Sequence, residues 1–172
     1  MRLLILGCGR VGATLANLMN KDGHDVTVID LSNDAFDRLG ADFEGQTIVG
    51  DGTDEDVLVR AGIEEADAFA AVTNGDNRNI MAAQIAKHTF GVHKVICRIY
   101  DPIRQETYNA LGLESISPTV VGAKLMKTAL LNDAPRMQSA VQSIAEGRGV
   151  PQQNAAEREK SLTTKAATGE NR

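Results

Sequence analysis

Short aliphatic runs alternate with amphipathic stretches over the first 133 or so residues. Leu3-Leu4-Ile5-Leu6 is apolar at every position, which is the pattern of a strand buried on both faces. It runs into Gly7-Cys8-Gly9-Arg10-Val11-Gly12, after which Val11, Leu15, Leu18 and Met19 recur at helical spacing until Gly23. Asp25-Val26-Thr27-Val28-Ile29-Asp30 predicts a second strand. Ser32 is placed to cap a short helix carrying Ala35, Phe36 and Leu39, with Gly40 at its end. Gln46 to Asp51 predicts a third strand. Thr53 and Asp56 have capping-box spacing before a helix with Val57, Leu58 and Ala61 that stops at Gly62.

The same unit then repeats. Ala68 to Thr73 predicts a fourth strand, and Asp76 or Asn77 is placed to cap a longer helix with Ile80, Met81, Gln84, Ile85 and His88 along it. Lys94 to Ile99 predicts a fifth strand. Asp101-Pro102 opens a helix at the position proline prefers, with Tyr108 and Leu111 on one face. Glu114 to Ser117 predicts a brief sixth strand, and Pro118 starts a last helix through Val121, Leu125, Met126, Ala129 and Leu130. Six strands separated by crossover helices predict an α/β fold with a doubly wound parallel sheet, because each connection must travel back over a face of the sheet.

Composition agrees. Aromatic residues make up 3% of the chain and tryptophan is absent, so the core is aliphatic, while 16 glycines punctuate the turns. From Arg136 the texture changes: the only larger apolar residues are Met137, Val141, Ile144, Val150 and Leu162. The expectation is one domain over 1–133 and a polar tail over 134–172, with a weak helix around 138–144 and disorder from about Gly147. The tail is either a solvated extension or a partner-binding segment.

The 172 residues leave room for one ordinary domain plus that tail. The net charge of -5 argues against the basic footprint that duplex nucleic acid requires, so no nucleic-acid partner is expected. Two cysteines, Cys8 and Cys97, make no disulfide framework and fit a reducing compartment. With no long apolar run and no signal-peptide core, the expectation is a cytoplasmic protein that reaches a membrane only through a partner.

The glycine triplet carries the chemistry. It follows a strand, opens a helix, and precedes a second strand that ends in Asp30, eighteen positions after Gly12. Gly7 permits the tight turn, Gly9 lets a pyrophosphate approach the backbone, and Gly12 lets helix and strand pack closely. The N–H groups at the helix start then face an anion. Asp30 can accept hydrogen bonds from the ribose hydroxyls of an adenosine. It would repel a 2′-phosphate, and Leu31 beside it supplies no cation, which favours NAD(H) or another adenine nucleotide with an unphosphorylated ribose over NADP(H). The fold implied is Rossmann-type.

Further polar residues fall at strand ends, the ligand edge of such a sheet. Asp51 and Gly52 are placed for an adenine edge. Thr73, Asn74, Asp76 and Asn79 follow the fourth strand near the expected diphosphate or second nucleoside. Asp51 and Asp76 are either ligand contacts or helix caps. Arg98 stands among apolar residues of the fifth strand and needs a partner, which is either a carboxylate or a ligand. Arg10, inside the glycine loop, is either a phosphate contact or a surface arginine. Cys8 and Val11 complete the loop, Cys8 as a small packing residue. The three histidines show no metal-ligand spacing with the cysteines, and no catalytic elbow or zinc motif is present.

Gly7-Cys8-Gly9-Arg10-Val11-Gly12, Asp30, Gly50-Asp51-Gly52-Thr53, Ala71-Val72-Thr73 with Asp76 and Asn79, Arg98-Ile99-Tyr100-Asp101-Pro102 and Ser117-Pro118-Thr119 together resemble the N-terminal nucleotide-binding (RCK, or TrkA-N) domain of Trk/Ktr-type potassium-uptake regulators. The resemblance spans about residues 1–133. It implies a regulatory subunit, not an enzyme, that controls a membrane potassium transporter and sits peripherally at the inner face of the membrane. It implies NAD(H), ATP, ADP or AMP bound to a Rossmann dimer, with Arg10 reaching toward terminal phosphates and the helix from Pro118 packing on a partner subunit. Such regulators carry a second lobe of roughly 80 residues, longer than the stretch beyond the last helix of this chain. The expectation is therefore a homodimer or an assembly with a longer paralogue. The alternative from another class is a small NAD-dependent oxidoreductase, or a dinucleotide-binding component of a larger enzyme. Little chain is left over for a substrate region.

Overall fold

In the computed structural model, residues 1–110 and 112–131 are described. Six parallel strands, β1 (Arg2–Leu6), β2 (Asp25–Asp30), β3 (Gln46–Val49), β4 (Ala68–Ala71), β5 (Lys94–Arg98) and β6 (Glu114–Ile116), form one sheet in the order β3-β2-β1-β4-β5-β6. The helices between them are α1 (Arg10–Lys21), α2 (Glu55–Arg60), α3 (Asp76–Gln84) and α4 (Pro102–Ala110), and α5 (Pro118–Leu130) follows β6. This is the expected doubly wound α/β fold of Rossmann type. The chain reverses its direction of travel across the sheet between β1 and β4, whose register pairs Leu3 with Ala68 and Leu6 with Ala71. A crevice at the carboxyl ends of the strands is the consequence of such a reversal.

Residues 1–120 form one compact unit, and the division from the next falls within α5. The expected helix at 138–144 and the extension after Gly147 lie outside the described residues. No helix among the described residues is long and apolar enough to cross a membrane.

The core lies on both faces of the sheet, as the strand pleat requires. Leu4, Leu6, Ile29, Phe69, Ala71, Val95 and Cys97 point to one face and pack with Leu58, Ile63, Ile80, Ala82, Ala83 and Ala86. Leu3, Ile5, Val26, Val28, Ala68 and Ala70 point to the other and pack with Ala13, Ala16 and Ala35. Fully burying a side chain such as Ile5 contributes about 1.5–3 kcal/mol.

The face of α1 differs from the expectation. Val11 and Leu18 are exposed, and the residues turned inward are Gly12, Ala13 and Ala16, with Leu15 and Met19 at the flanks. The reason is distance. A Cβ on Gly12 would lie 1.8 Å from the carbonyl oxygen of Gly7, so the start of the helix touches the strand backbone and only small residues fit beneath it.

Three expected caps also change. Ser32 makes no side-chain cap, and the segment after it, Asn33–Arg38, is a 3-10 helix. The cap of α2 is Asp54, which accepts from the N–H of Asp56, while Thr53 is turned to Asp51. The residue before α3 is Gly75, so Asp76 and Asn77 sit inside the first turn with their carboxylate and amide aimed elsewhere. The helical stretch continues past α3 as one π-helical segment, Ile85–Thr89.

Candidate functional site

Loop geometry at the end of β1 builds the floor of a cavity. Gly7 has φ of 104°, a conformation only glycine adopts freely, and a Cβ there would meet the backbone of Thr73 at 2.9 Å. The turn delivers Gly9 to the start of α1. Among the described residues no side chain caps α1 and no acidic residue occupies its first turn, so its leading N–H groups are available to an anion. A Cβ on Gly9 would meet nothing within 4 Å. The space above that backbone is open, which is what close approach of a phosphate needs.

The loop is tied to β2 by Asp30. Its Oδ2 accepts from the N–H of Cys8 at 2.7 Å, and its Oδ1 accepts from the N–H of Ser32 at 3.0 Å. A carboxylate has about four acceptor sites, so roughly two remain for a ligand. Burial pushes the Cys8 thiol up, with the neighbouring Asp30 charge adding to the shift, so the sulfur is a packing group.

The cavity has a volume of about 780 Å³ and opens at the carboxyl ends of β1, β2 and β4. Of the residues singled out from the sequence, Gly7, Cys8, Gly9, Arg10, Val11, Asp30, Asp51, Gly52, Thr73, Asn74 and Arg98 line it together. Gly52 is there because its missing side chain makes room for Leu6, whose side chain a Cβ would meet at 2.3 Å. Asp51 accepts from the N–H and the hydroxyl of Thr53 at 3.0 and 2.8 Å, which holds its carboxyl below the usual range.

Three expected site residues do not line it. Gly12 is a contact between helix and strand. Asn79 is fully buried and its amide is used within the fold. Its Oδ1 accepts from the N–H and hydroxyl of Thr73 at 2.9 and 2.7 Å, and its Nδ2 donates to the carbonyls of Thr73 and Arg98 at 3.1 and 2.9 Å. It clamps the ends of β4 and β5 and has no donor left for a ligand. Asp76 accepts from the N–H groups of Tyr100 and Asp101 at 2.9 and 3.3 Å and faces Arg104 at 4.0 Å. It fixes the turn after β5 against α3 and neither caps a helix with its side chain nor reaches the cavity.

Arg98 stands at the cavity wall and forms no ion pair among the described residues. Its Nη1 donates to the carbonyl of Val72 at 3.3 Å, its guanidinium lies 3.8 Å from the ring centroid of Tyr100, and its buried Nε has no partner among the described residues. Burial pulls its pKa down, partly opposed by the Asp76 charge. A guanidinium held at a cavity wall with an unused donor is suited to an anion.

Arg38 and Ala35 join the wall from outside the stretches singled out above, and Leu31, Arg78, Tyr100 and Pro118, which lie within them, also line the cavity. Arg38 changes one premise: Leu31 supplies no cation, yet a cation seven residues further on stands in the same cavity as Asp30. Its signal in the sequence is its place on the segment leaving β2, which a ribose-binding carboxylate must face. Arg78 belongs to the polar stretch after β4 and sits within the first turns of α3. The cavity thus combines four arginines, Arg10, Arg38, Arg78 and Arg98, with two carboxylates, Asp30 and Asp51. The residues fit a nucleotide with ionised phosphates: open backbone at Gly9, an uncapped helix start, cations around it, and a fixed carboxylate to one side.

Similarity to known proteins agrees with the fold and the motif order. The family model of the TrkA-N domain matches residues 3–118. The Trk system potassium uptake protein TrkA of Streptomyces coelicolor is 49% identical over 131 residues, which are 76% of this chain and 59% of that protein. A Trk system potassium uptake protein TrkA homolog of Pyrococcus abyssi is 38% identical over 108 residues, 63% of this chain and 48% of that one. The chain spans about half the length of these curated relatives. Among solved structures, the Kef CTD of Shewanella denitrificans in its AMP-bound form superposes with a TM-score of 0.67 at 19% identity, covering 86% of this chain and 92% of that one. The GsuK channel bound to NAD gives 0.66 at 22%, covering 80% and 24%. At those identities the likeness is one of fold. The match over most of the described residues, together with the glycine loop and the acidic end of β2, places this chain in the TrkA-N domain family.

Proposed function

We propose that this chain is a regulatory nucleotide-binding module of a potassium-uptake system. The cavity takes NAD(H), or ATP, ADP or AMP, with phosphates over Gly9 and the start of α1 and the adenosine ribose against Asp30. Residues 1–133 act as the nucleotide-binding domain and 134–172 as a tail. The module works in the cytoplasm as a homodimer or with a longer paralogue, and it meets the membrane through a potassium transporter subunit. It performs no chemistry. A ligand that binds one arrangement of the assembly better than another shifts the population by that difference in affinity, which is sufficient for control.

The observation that carries this reading is the open space at Gly9 in front of an uncapped helix start, with a carboxylate from the end of β2 pinned to the same loop. Naming supports the transporter side: the Streptomyces coelicolor and Pyrococcus abyssi relatives are called potassium uptake proteins, and the solved neighbours include AMP-bound, NAD-bound and ADP-bound forms.

Thermal unfolding in the presence of NADH, NAD, ATP, ADP and AMP in turn tests the binding. A ligand at a hundred times its dissociation constant stabilises the native state by about 2.7 kcal/mol, enough to move the midpoint by several degrees. At least one of the five raises it. No shift with any of them at millimolar concentration contradicts the reading, and sustained oxidation of NADH by added carbonyl substrates contradicts the regulatory role.

A further inference from the structure

Asp30 and Arg38 stand in one cavity without touching. Both line it, and no ion pair joins them among the described residues. Asp30 is held by the N–H groups of Cys8 and Ser32. Arg38 closes the 3-10 helix Asn33–Arg38, and its Nη1 donates to the carbonyl of Ala35 at 3.4 Å, so one donor is tethered to the cavity wall. A guanidinium has five N–H donors, which leaves others for a ligand. An acceptor held by two backbone N–H groups and a tethered donor thus face one cavity without being paired to each other.

We propose that Arg38 is a specificity-determining residue that brackets a ribose hydroxyl together with Asp30. A hydroxyl is the group that suits both, since it donates one hydrogen bond and accepts others. The carboxylate takes the hydroxyl's hydrogen bond and the guanidinium donates to the same oxygen. A deoxyribose leaves the two charges facing an empty space, which costs binding because a hydrogen-bonding site rejects the analogue that lacks the group. Asp30 alone reads only a donor. With Arg38 the site reads a hydroxyl as a donor and an acceptor at once. The inference rests on the proposed nucleotide site and deepens it.

The test is a cycle between Arg38 and the sugar. The full chain and its Arg38→Ala and Arg38→Gln variants are titrated calorimetrically with ADP, 2′-deoxy-ADP and 3′-deoxy-ADP. Arg38 is solvent-exposed, and unchanged thermal midpoints of the variants without ligand confirm that they fold. The expected result is a loss of about tenfold in ADP affinity on Arg38→Ala, shrinking to less than about twofold with at least one deoxy analogue, because the hydroxyl that Arg38 reads is already gone. Equal losses for ADP and for both analogues would place Arg38 on the phosphates or the base and overturn the inference while leaving the nucleotide site standing. An unchanged affinity for ADP in both variants overturns it as well. Failure of the unaltered chain to bind ADP overturns this inference, and failure to bind any of NADH, NAD, ATP, ADP and AMP sinks the nucleotide reading as well.

Discussion

The carboxylate of Asp30 accepts a 2.7 Å hydrogen bond from the backbone N–H of Cys8. The residue expected to hold the ligand sugar therefore also holds the phosphate loop, and the two halves of the candidate site are one mechanical unit. Asp30→Ala removes the acceptor for Cys8 and Ser32 as well as for a ribose. Stability is expected to fall by about 1–3 kcal/mol, measured by urea unfolding, in addition to a loss of nucleotide affinity. Asp30→Asn keeps a carbonyl oxygen for one of the two N–H groups and is expected to lose less stability than the alanine variant. Equal stability of all three proteins would show that the loop does not depend on this side chain.

Asn79 is the second fixed point. Truncating it to alanine strands the N–H of Thr73 and the carbonyl of Arg98 in the interior. Asn79→Ala is expected to cost about 2–4 kcal/mol in urea or thermal unfolding, although the residue does not line the cavity. Asn79→Asp keeps the acceptor but loses the donor to both carbonyls and puts a charge in a fully buried position, so it is expected to be at least as damaging. Near-normal stability in both variants would remove the clamp from the account.

The Asp51 carboxyl titrates low because Thr53 donates to it twice. A carboxyl depressed in the folded state adds stability above its unfolded pKa and gives that stability up as pH falls through the folded value. Thr53→Val removes the hydroxyl donor and keeps the N–H. Carbon-detected NMR titration of the side chain is expected to show the Asp51 midpoint rising toward the ordinary carboxylate value in the variant. An unmoved midpoint would mean that the hydroxyl contact is absent in solution.

Neither cysteine is poised for redox chemistry. Burial raises Cys8, and burial with the Asp76 charge pushes Cys97 up to about 11. At pH 8 a thiol of that pKa is about one part in a thousand thiolate. A thiol-disulfide reagent at pH 8 is expected to leave the native chain unlabelled and to label both sites rapidly in denaturant. Fast labelling of the native protein would contradict the packing role given to the two thiols.

The parts legible in the sequence are those that local pattern dictates. Short apolar, β-branched-rich runs such as Leu3–Leu6 and Val26–Ile29, bounded by turn residues, fit a buried parallel strand, and the glycine spacing from Gly7 to Gly12 is a backbone requirement. What the pattern hides depends on where segments distant in sequence come to rest. Asn79 and Asp76 look like ligand groups in a polar stretch, and their partners, Arg98, Tyr100 and Asp101, arrive only when β5 pairs with β4. Arg38 belongs to no motif, and it is the 3-10 helix that brings it into the cavity that Asp30 lines. Hydrophobic size is the wrong guide to the inward face of α1, because the approach of Gly12 to Gly7 admits only small side chains.

Gly9→Val is the most direct measurement. A Cβ there meets nothing within 4 Å beyond its own chain neighbours, and Gly9 has φ of -75°, which any residue adopts. The substitution fills the space over the helix start and little else. Titration calorimetry of the unaltered chain with NADH and ADP, followed by the same titrations of the variant at an unchanged thermal midpoint, is expected to show binding of at least one ligand and a loss of about a hundredfold or more in the variant. Full affinity in a folded Gly9→Val protein contradicts the account, because no phosphate then lies where the loop, the helix start and the arginines converge.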